Sequence, residues 1–269
     1  MGDEGGQGGT AARLTTELRA AYDAAAAQWA DGPEQMYARL AGALVAASPV
    51  PLAGRSVLDL GAGTGAAGRA ALAAGARPVV AADLAVGMLR RAGPALHPVA
   101  ADAAALPFRD GRFDLVLAAL SLSHLVDLAA GLDEARRVGR AIAASAFAPG
   151  WSHPARAAVD EALRPFGYRP PDWYVRLKRV TEPRAEDPEL LAGLAAAAGF
   201  RRVRLRTAAV PTGLATPAQL ASWRLGMAHV APFVSSLDEA DRTALRRAAE
   251  RAVAGTGPLV VSMTILTAR

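Results

Sequence analysis

The sequence predicts an α/β fold built on an open, mostly parallel sheet of seven strands, with helices on both faces and helical segments inserted as caps. Three observations indicate this architecture. Short apolar runs alternate with helix-like segments through the first half of the chain, an order that favours parallel strands. The first run leads directly into a glycine-rich turn. Two later regions interrupt the alternation with proline-rich, aromatic or helical sequence.

The glycine-rich turn follows the first predicted strand, Val57–Leu60, and precedes a predicted helix, Ala66–Ala74. Its sequence is Gly61-Ala62-Gly63-Thr64-Gly65. The apolar strand suits a sheet covered on both faces, and glycines let the backbone approach a ligand at a helix N-terminus. Alone, the turn is ambiguous, because its spacing also fits the dinucleotide fingerprint of nicotinamide enzymes.

Carboxylates stand at the ends of the next two predicted strands. The apolar run 78–82 ends at Asp83, about 20 residues past the turn, where an acidic side chain can hold both hydroxyls of a ribose. The run 97–101 ends at Asp102, and a fourth predicted strand covers Leu115–Leu120. This succession predicts a nucleotide cradle along the carboxyl ends of neighbouring strands.

The succession of turn, Asp83 and Asp102 resembles the class I S-adenosylmethionine-dependent methyltransferases over about residues 55–146. The branch that it resembles contains small-molecule enzymes of ubiquinone and natural-product type. The resemblance implies a Rossmann-like fold, S-adenosylmethionine as the cofactor and methyl transfer as the activity. One departure is that Arg137-Val138-Gly139-Arg140 stands where the family usually has a proline-glycine-glycine turn.

The same resemblance assigns positions in this chain to parts of the cofactor. It implies that Asp83 holds the ribose, that Met88 lies against the adenine, and that Asp102 faces the adenine amino group. Leu120 then faces the methionine moiety, and Asp59 anchors the turn or, through water, the cofactor's ammonium group. The complete expected cofactor-binding set is Tyr22, Asp59, Gly61, Ala62, Gly63, Gly65, Asp83, Leu84, Met88, Asp102, Ala103 and Leu120.

The remaining elements are predicted from the spacing of apolar residues and from the glycines and prolines that interrupt it. Helices are predicted from Thr10 onward and over Pro33–Ala47, before the first strand. The resemblance implies that this pair covers the cofactor, with Tyr22 and Trp29 reaching the methionine carboxylate or the substrate; packing of a helix face is the alternative. Later elements are a helix at Leu128–Val138, strands at Ala141–Phe147, Arg202–Ala208 and Leu259–Leu266, and a helix at Pro188–Ala198.

These elements predict a single domain with insertions. Residues 149–186 combine six prolines with Trp151, Tyr168, Trp173 and Tyr174, a composition typical of a lid over a ligand site. The predicted segments are a disordered tip (1–10), N-terminal helices (11–48), a cofactor-binding core (49–148), a cap (149–186), more core (187–216), a second cap (217–254) and the last strand (255–269).

His124 is the candidate general base, because Ser121-Leu122-Ser123-His124 follows the fourth strand and an imidazole titrates in the useful range. Its alternative is to shape the loop or contact the cofactor. His153 and His229, one in each cap, are weaker candidates for a base or a substrate ligand. No metal site is predicted, because the four histidines are far apart and Ser121 stands where some quinone-pathway relatives have an acidic ligand.

The charge and composition of the chain argue against nucleic acids and membranes as partners. The formal charge of +5 comes from arginines scattered among acids, without the basic aromatic runs of nucleic-acid binders. Cysteine is absent and no apolar run reaches spanning length, so no membrane contact is expected and a cytoplasmic location is predicted. Nothing in the sequence indicates the oligomeric state.

The predicted function is methyl transfer to a small aromatic or hydrophobic metabolite of secondary or cofactor metabolism. One alternative keeps S-adenosylmethionine but performs cyclase-like chemistry or none. A second is an NAD(P)-dependent oxidoreductase, since Tyr174 and Lys178 have the tyrosine and lysine spacing of short-chain dehydrogenases. The glycine spacing of the turn argues against this second alternative, as does the proline-flanked setting of Tyr174.

Overall fold

The computed structural model describes the backbone of residues 4–269 and the side chains of residues 12–269. Within this range seven strands form one sheet in the order β3-β2-β1-β4-β5-β7-β6. The strands are β1 (Val57–Leu60), β2 (Val79–Asp83), β3 (His97–Ala100), β4 (Leu115–Ala119), β5 (Ile142–Phe147), β6 (Arg204–Pro211) and β7 (Val260–Ala268).

The first five strands pair in parallel, and β7 runs antiparallel to both β5 and β6. The strand order reverses between β1 and β4, because β2 and β3 continue on one side and β5 continues on the other. In open sheets of this kind, ligands bind outside the carboxyl ends of the strands at such a reversal. The predicted fold class is therefore confirmed.

Twelve α-helices lie in the described part of the chain: α1 (Glu4–Asp31), α2 (Pro33–Ala46), α3 (Ala66–Ala73), α4 (Val86–Leu89), α5 (Leu128–Val138), α6 (Pro154–Leu163), α7 (Asp172–Arg176), α8 (Glu182–Glu186), α9 (Pro188–Ala197), α10 (Pro217–Leu225), α11 (Ala231–Ser236) and α12 (Glu239–Ala252). Short 3₁₀ turns cover Leu122–His124 and Arg164–Phe166, and a π turn covers Leu177–Thr181.

Helices cover both faces of the sheet because the central strands are apolar on both sides. All four residues of β1 are buried, as expected for an internal parallel strand. One face packs against α2, α3, α6, α10 and α12, and the other packs against α5 and α9. None of the described helices is both long and apolar enough to cross a bilayer.

Two expectations need correction. Helix α1 begins at Glu4, so residues 4–10 of the expected disordered tip are helical, and residues 1–3 lie outside the described residues. Once a helix is nucleated, each further residue adds a hydrogen bond, which carries α1 into its glycine-rich start. Strand β6 covers Arg204–Pro211 instead of Arg202–Ala208, because its limits follow its pairing with β7.

Both cap regions are helical, and each contacts the other. The segment 149–186 forms α6 to α8, and the segment 217–254 forms α10 to α12. Arg224 of α10 donates two hydrogen bonds to Asp160 of α6, at 2.9 and 2.8 Å. Leu14 and Leu18 of α1 pack against Leu177 in the π turn. The π turn therefore packs against α1, whereas α6, α10 and α12 also pack on one face of the sheet.

Candidate active site

The glycine-rich turn adopts a backbone conformation that needs glycine. Gly61, Gly63 and Gly65 have φ angles of +66°, +54° and +84°, a region that side chains disfavour. A Cβ on Gly61 would lie 2.4 Å from the Cβ of Ser121. The hydroxyl of Ser121 donates a hydrogen bond to the carbonyl of Leu60 at 2.7 Å. The turn therefore sits tightly between β1 and the segment after β4.

Asp59 ties this turn to the helix behind it. The carboxylate is 1% exposed, and its Oδ2 accepts the Gly68 N–H of α3 at 2.6 Å. Burial raises the pKa of Asp59 to about 7, and the negative charge of Asp83 acts in the same direction. Of the two roles expected for Asp59, the structure shows the contact that anchors the turn.

Asp83 and Asp102 lie at the carboxyl ends of adjacent strands, as their positions in the sequence predicted. Asp83 accepts hydrogen bonds from the backbone N–H groups of Gly63 at 2.7 Å and Ala85 at 2.8 Å. Burial raises the pKa of Asp83 above its ordinary value, and these hydrogen bonds oppose the shift. Asp102 accepts the Ala104 N–H at 2.9 Å.

A cavity of about 180 Å³, here called the main cavity, opens between the turn and α1. Twelve of the thirteen residues predicted for the site line it: Tyr22, Asp59, Gly61, Ala62, Gly63, Asp83, Leu84, Met88, Asp102, Ala103, Leu120 and His124. The exception is Gly65, where an added Cβ would meet Leu96 and Ala92, so this glycine serves the packing at the start of α3. Sequence reasoning missed the contributions of Leu18, Arg19 and Val126.

The N-terminal helices are fastened over this cavity by polar contacts. Asp23 of α1 accepts the Gly87 N–H of α4 at 2.6 Å. Glu34 of α2 pairs with Thr64 in the turn and with Arg69 of α3. Met88 is fully buried against Ala26, Trp29 and Ala85, which places α1 directly beside the segment after β2.

His124 contacts Tyr22 just beyond the carboxyl end of β4. The 3₁₀ turn carrying His124 begins just after Leu120, whose φ of +56° redirects the chain. The Nε2 of His124 and the Oη of Tyr22 are 2.8 Å apart, and Ser123 Oγ is 3.3 Å from Nδ1. Burial lowers the pKa of His124 and raises that of Tyr22 well above its usual range. The pair is therefore a neutral imidazole beside a protonated phenol.

A second hollow of about 50 Å³, here called the aromatic chamber, adjoins the main cavity and shares Tyr22, Tyr37 and His124 with it. Its walls come mainly from the caps. Tyr174 stacks on His229 with centroids 3.7 Å apart and planes 2° apart. The remaining aromatic walls are Phe147 and Trp151, which stack at 4.8 Å, together with Trp173 and Trp223.

The other histidines and the lone lysine have distinct positions. The side chain of His153 accepts the Ala155 N–H at 3.2 Å and caps α6, outside both hollows. His229 lines the aromatic chamber, where burial lowers its pKa well below the usual value. Lys178 pairs with Glu182 and lies 5.8 Å from the ring of Tyr174. The described residues contain no group of three or more potential metal ligands.

Comparison with known proteins agrees with this geometry. The methyltransferase domain family matches residues 58–142, from the middle of β1 to the start of β5. This region carries the turn, both strand-end aspartates and His124. This segment, about a third of the chain, is similar to methyltransferase domains. The match favours S-adenosylmethionine as the cofactor over the nicotinamide alternative.

Curated relatives of the methyltransferase domain include two demethylmenaquinone methyltransferases. The enzyme of Clavibacter sepedonicus is 40% identical over 48% of this chain and 54% of its own length. That of Mycolicibacterium gilvum is 48% identical over 31% of this chain and 37% of its own length. The chain thus spans about half or less of the length of these relatives.

Solved structures extend the similarity to the whole fold. A structure from Anabaena variabilis, described as a methyltransferase of an antibiotic biosynthesis pathway, has a TM-score of 0.60 at 17% identity, covering 85% of this chain and 96% of the other. Phosphoethanolamine N-methyltransferase 2 of Haemonchus contortus, in complex with S-adenosylmethionine, has a TM-score of 0.51 at 16% identity, covering 84% and 51%. At these identities the likeness concerns the fold alone.

Proposed function

We propose that this protein transfers a methyl group from S-adenosylmethionine to a small planar or hydrophobic metabolite held in the aromatic chamber. The observation that carries the proposal is the position of His124 and Tyr22, which line both hollows and join the cofactor side to the cap side. Demethylmenaquinone methyltransferase relatives and a neighbour from an antibiotic pathway support a place in cofactor or secondary metabolism.

The residues of the main cavity fit the cofactor. Glycine at positions 61 and 63 leaves the backbone open to a ligand, and an added Cβ on Gly63 would meet nothing within 4 Å. Asp83 would hold the ribose, Asp102 the adenine amino group, and buried Met88 the adenine face. When bound, S-adenosylmethionine supplies an electrophilic methyl group for in-line displacement by the acceptor.

His124 is proposed as the base that receives the acceptor's proton. Its imidazole is neutral at physiological pH because burial lowers its pKa. In this proposal the Tyr22 phenol, with its raised pKa, is the donor to Nε2, so that this nitrogen's lone pair becomes available to an acceptor hydroxyl that takes the phenol's place. An acceptor hydroxyl that replaces the phenol at Nε2 would give up its proton to the ring during attack. The aromatic walls would keep the acceptor's ring in line and exclude water.

The decisive test is binding followed by turnover. Calorimetry with S-adenosylmethionine should detect binding to the wild-type protein, and Asp83→Ala should weaken it by one to two orders of magnitude if charge-assisted hydrogen bonds contribute about 1.5–3 kcal/mol. Asp133→Ala is the matched control, because Asp133 is exposed on α5 and lines neither hollow. Unchanged affinity in Asp83→Ala would discredit the assignment of the ribose site.

Turnover is then measured with cofactor carrying an isotopic label in the methyl group and a library of planar phenols, quinols and heteroaromatic amines. Label should pass to at least one acceptor, and His124→Gln should lower kcat more than the affinity for the cofactor. Tight cofactor binding with no labelled product would instead support the non-methylating alternative.

A further inference from the structure

The aromatic chamber contains polar groups that the fold leaves without partners. Trp223 is 2% exposed and its Nε1 has no hydrogen-bond partner. His229 is 6% exposed and its Nε2 likewise has none. Both side chains line the chamber. Because a buried polar group without a partner costs free energy, two such groups beside one hollow indicate a ligand that satisfies them.

The charged side chains around the chamber differ in whether they form contact ion pairs. The charged side chains that line it are Arg156, Lys178, Arg224 and Glu182. Lys178 is paired with Glu182, and Arg224 is paired with Asp160. Arg156 has no ion pair among the described residues; its guanidinium lies 5.5 Å from the centroid of the Trp151 ring. Arg156 is therefore a half-buried cation in an aromatic setting without a contact ion pair, although Glu186 is close enough to feel its charge.

We propose that the chamber selects an aromatic acceptor bearing an anionic oxygen substituent, a carboxylate or a phenolate, held by Arg156 and by the Trp223 indole N–H. His229 stacks under Tyr174 and offers Nε2 to the same ligand. This inference rests on the proposed function, since it treats the chamber as the acceptor site. It goes further in naming the group by which the acceptor is recognised.

The choice of an anion follows from the donors present. Guanidinium and indole N–H groups are donors only, so they cannot satisfy a cationic or donor-rich ligand. An uncharged aromatic compound would pack against the aromatic walls but would leave Arg156 partly desolvated without an anion in direct contact. An aromatic carboxylate or phenolate meets both requirements at once, because its ring stacks between the walls while its oxygen accepts from Arg156 and Trp223.

The test compares matched probes on the full-length protein. Calorimetry is performed with 2-naphthoate and with 2-naphthamide, which has the same ring but no charge, in the presence and absence of saturating S-adenosylhomocysteine. The wild-type protein should bind 2-naphthoate at least about tenfold more tightly than 2-naphthamide. Arg156→Gln should abolish this preference and Trp223→Phe should reduce it, while both variants keep wild-type affinity for S-adenosylhomocysteine.

Arg164→Gln is the control, because Arg164 follows α6 directly, is largely exposed and lines neither hollow. Equal binding of the two probes, no binding of 2-naphthoate, or an unchanged preference in Arg156→Gln would each overturn the inference. Those results would leave the proposed function intact as long as S-adenosylhomocysteine binds. Failure of S-adenosylhomocysteine to bind the wild-type protein would overturn the proposed function itself.

Discussion

Replacing Asp59 by asparagine should change how the stability of this protein depends on pH. Asparagine has nearly the same shape, and its carbonyl oxygen can still accept the Gly68 N–H that Asp59 accepts at 2.6 Å. The substitution therefore removes the ionisable group while keeping the bond between β1 and α3. The difference in stability between the variant and the wild type is then the free energy of burying the ionised carboxylate of Asp59, which is 1% exposed.

The magnitude and sign follow from the pKa. Burial raises the pKa of Asp59 from 3.8 to about 7, so from about pH 4 to about pH 7 the folded protein holds a proton that the unfolded chain has released. The contribution of Asp59 to the free energy of unfolding therefore falls as pH rises through this window. A difference of about three pKa units corresponds to about 4 kcal/mol as an upper value.

Urea unfolding followed by tryptophan fluorescence measures this difference. Near pH 4, Asp59→Asn and wild type should have similar free energies of unfolding, and by about pH 8 the variant should be more stable by up to about 4 kcal/mol. Asp133→Asn, an exposed site on α5, should show no such divergence. A difference between Asp59→Asn and wild type that stays constant across this range would refute the reasoning.

Three further predictions concern the turn, the dyad and the caps. Gly61→Ala should cost more stability and cofactor affinity than Gly63→Ala in urea unfolding and calorimetry, because only its Cβ would clash, at 2.4 Å from Ser121; equal costs would argue against the close approach. Tyr22→Phe should raise the pKa of His124 in an NMR titration, since the phenol's donated hydrogen bond favours the neutral ring; a fall would mean that the ring donates instead. Asp160→Asn should lower the free energy of unfolding by about 1–3 kcal/mol, because it leaves the guanidinium of buried Arg224 without its counter-charge; an unchanged midpoint in urea would contradict the importance of this contact between the caps.

The cofactor half of the site is readable from the sequence because its determinants are local. A buried strand, a turn that needs positive φ, and a carboxylate at the next strand end all lie within about 30 residues, the size of one strand-helix-strand unit. Parallel strands bring their carboxyl ends to one edge, so Asp59, Asp83 and Asp102 had to converge there.

Gly65 shows where this local reasoning is incomplete. Its spacing in the turn marked it as a cofactor contact, yet its Cα faces Leu96 and Ala92. A glycine required by positive φ and a glycine required by a ligand look alike in a sequence. Only the position of the segment after α4 separates the two.

The shape of the aromatic chamber, the proposed acceptor site, was decided by tertiary structure. Arg156, Tyr174, Trp223 and His229 come from both cap regions. The sequence marked Tyr174 as part of a lid and His229 as a weaker site candidate, but nothing in it indicated that the four side chains would meet. Their juxtaposition depends on how α7 and α10 pack against α1 and how α6 packs against α10, through contacts between residues far apart in the chain. Strand and turn preferences act within a few residues, so they can be read from the sequence pattern. A pocket built from separate helices exists only once those helices have buried their apolar faces against one another.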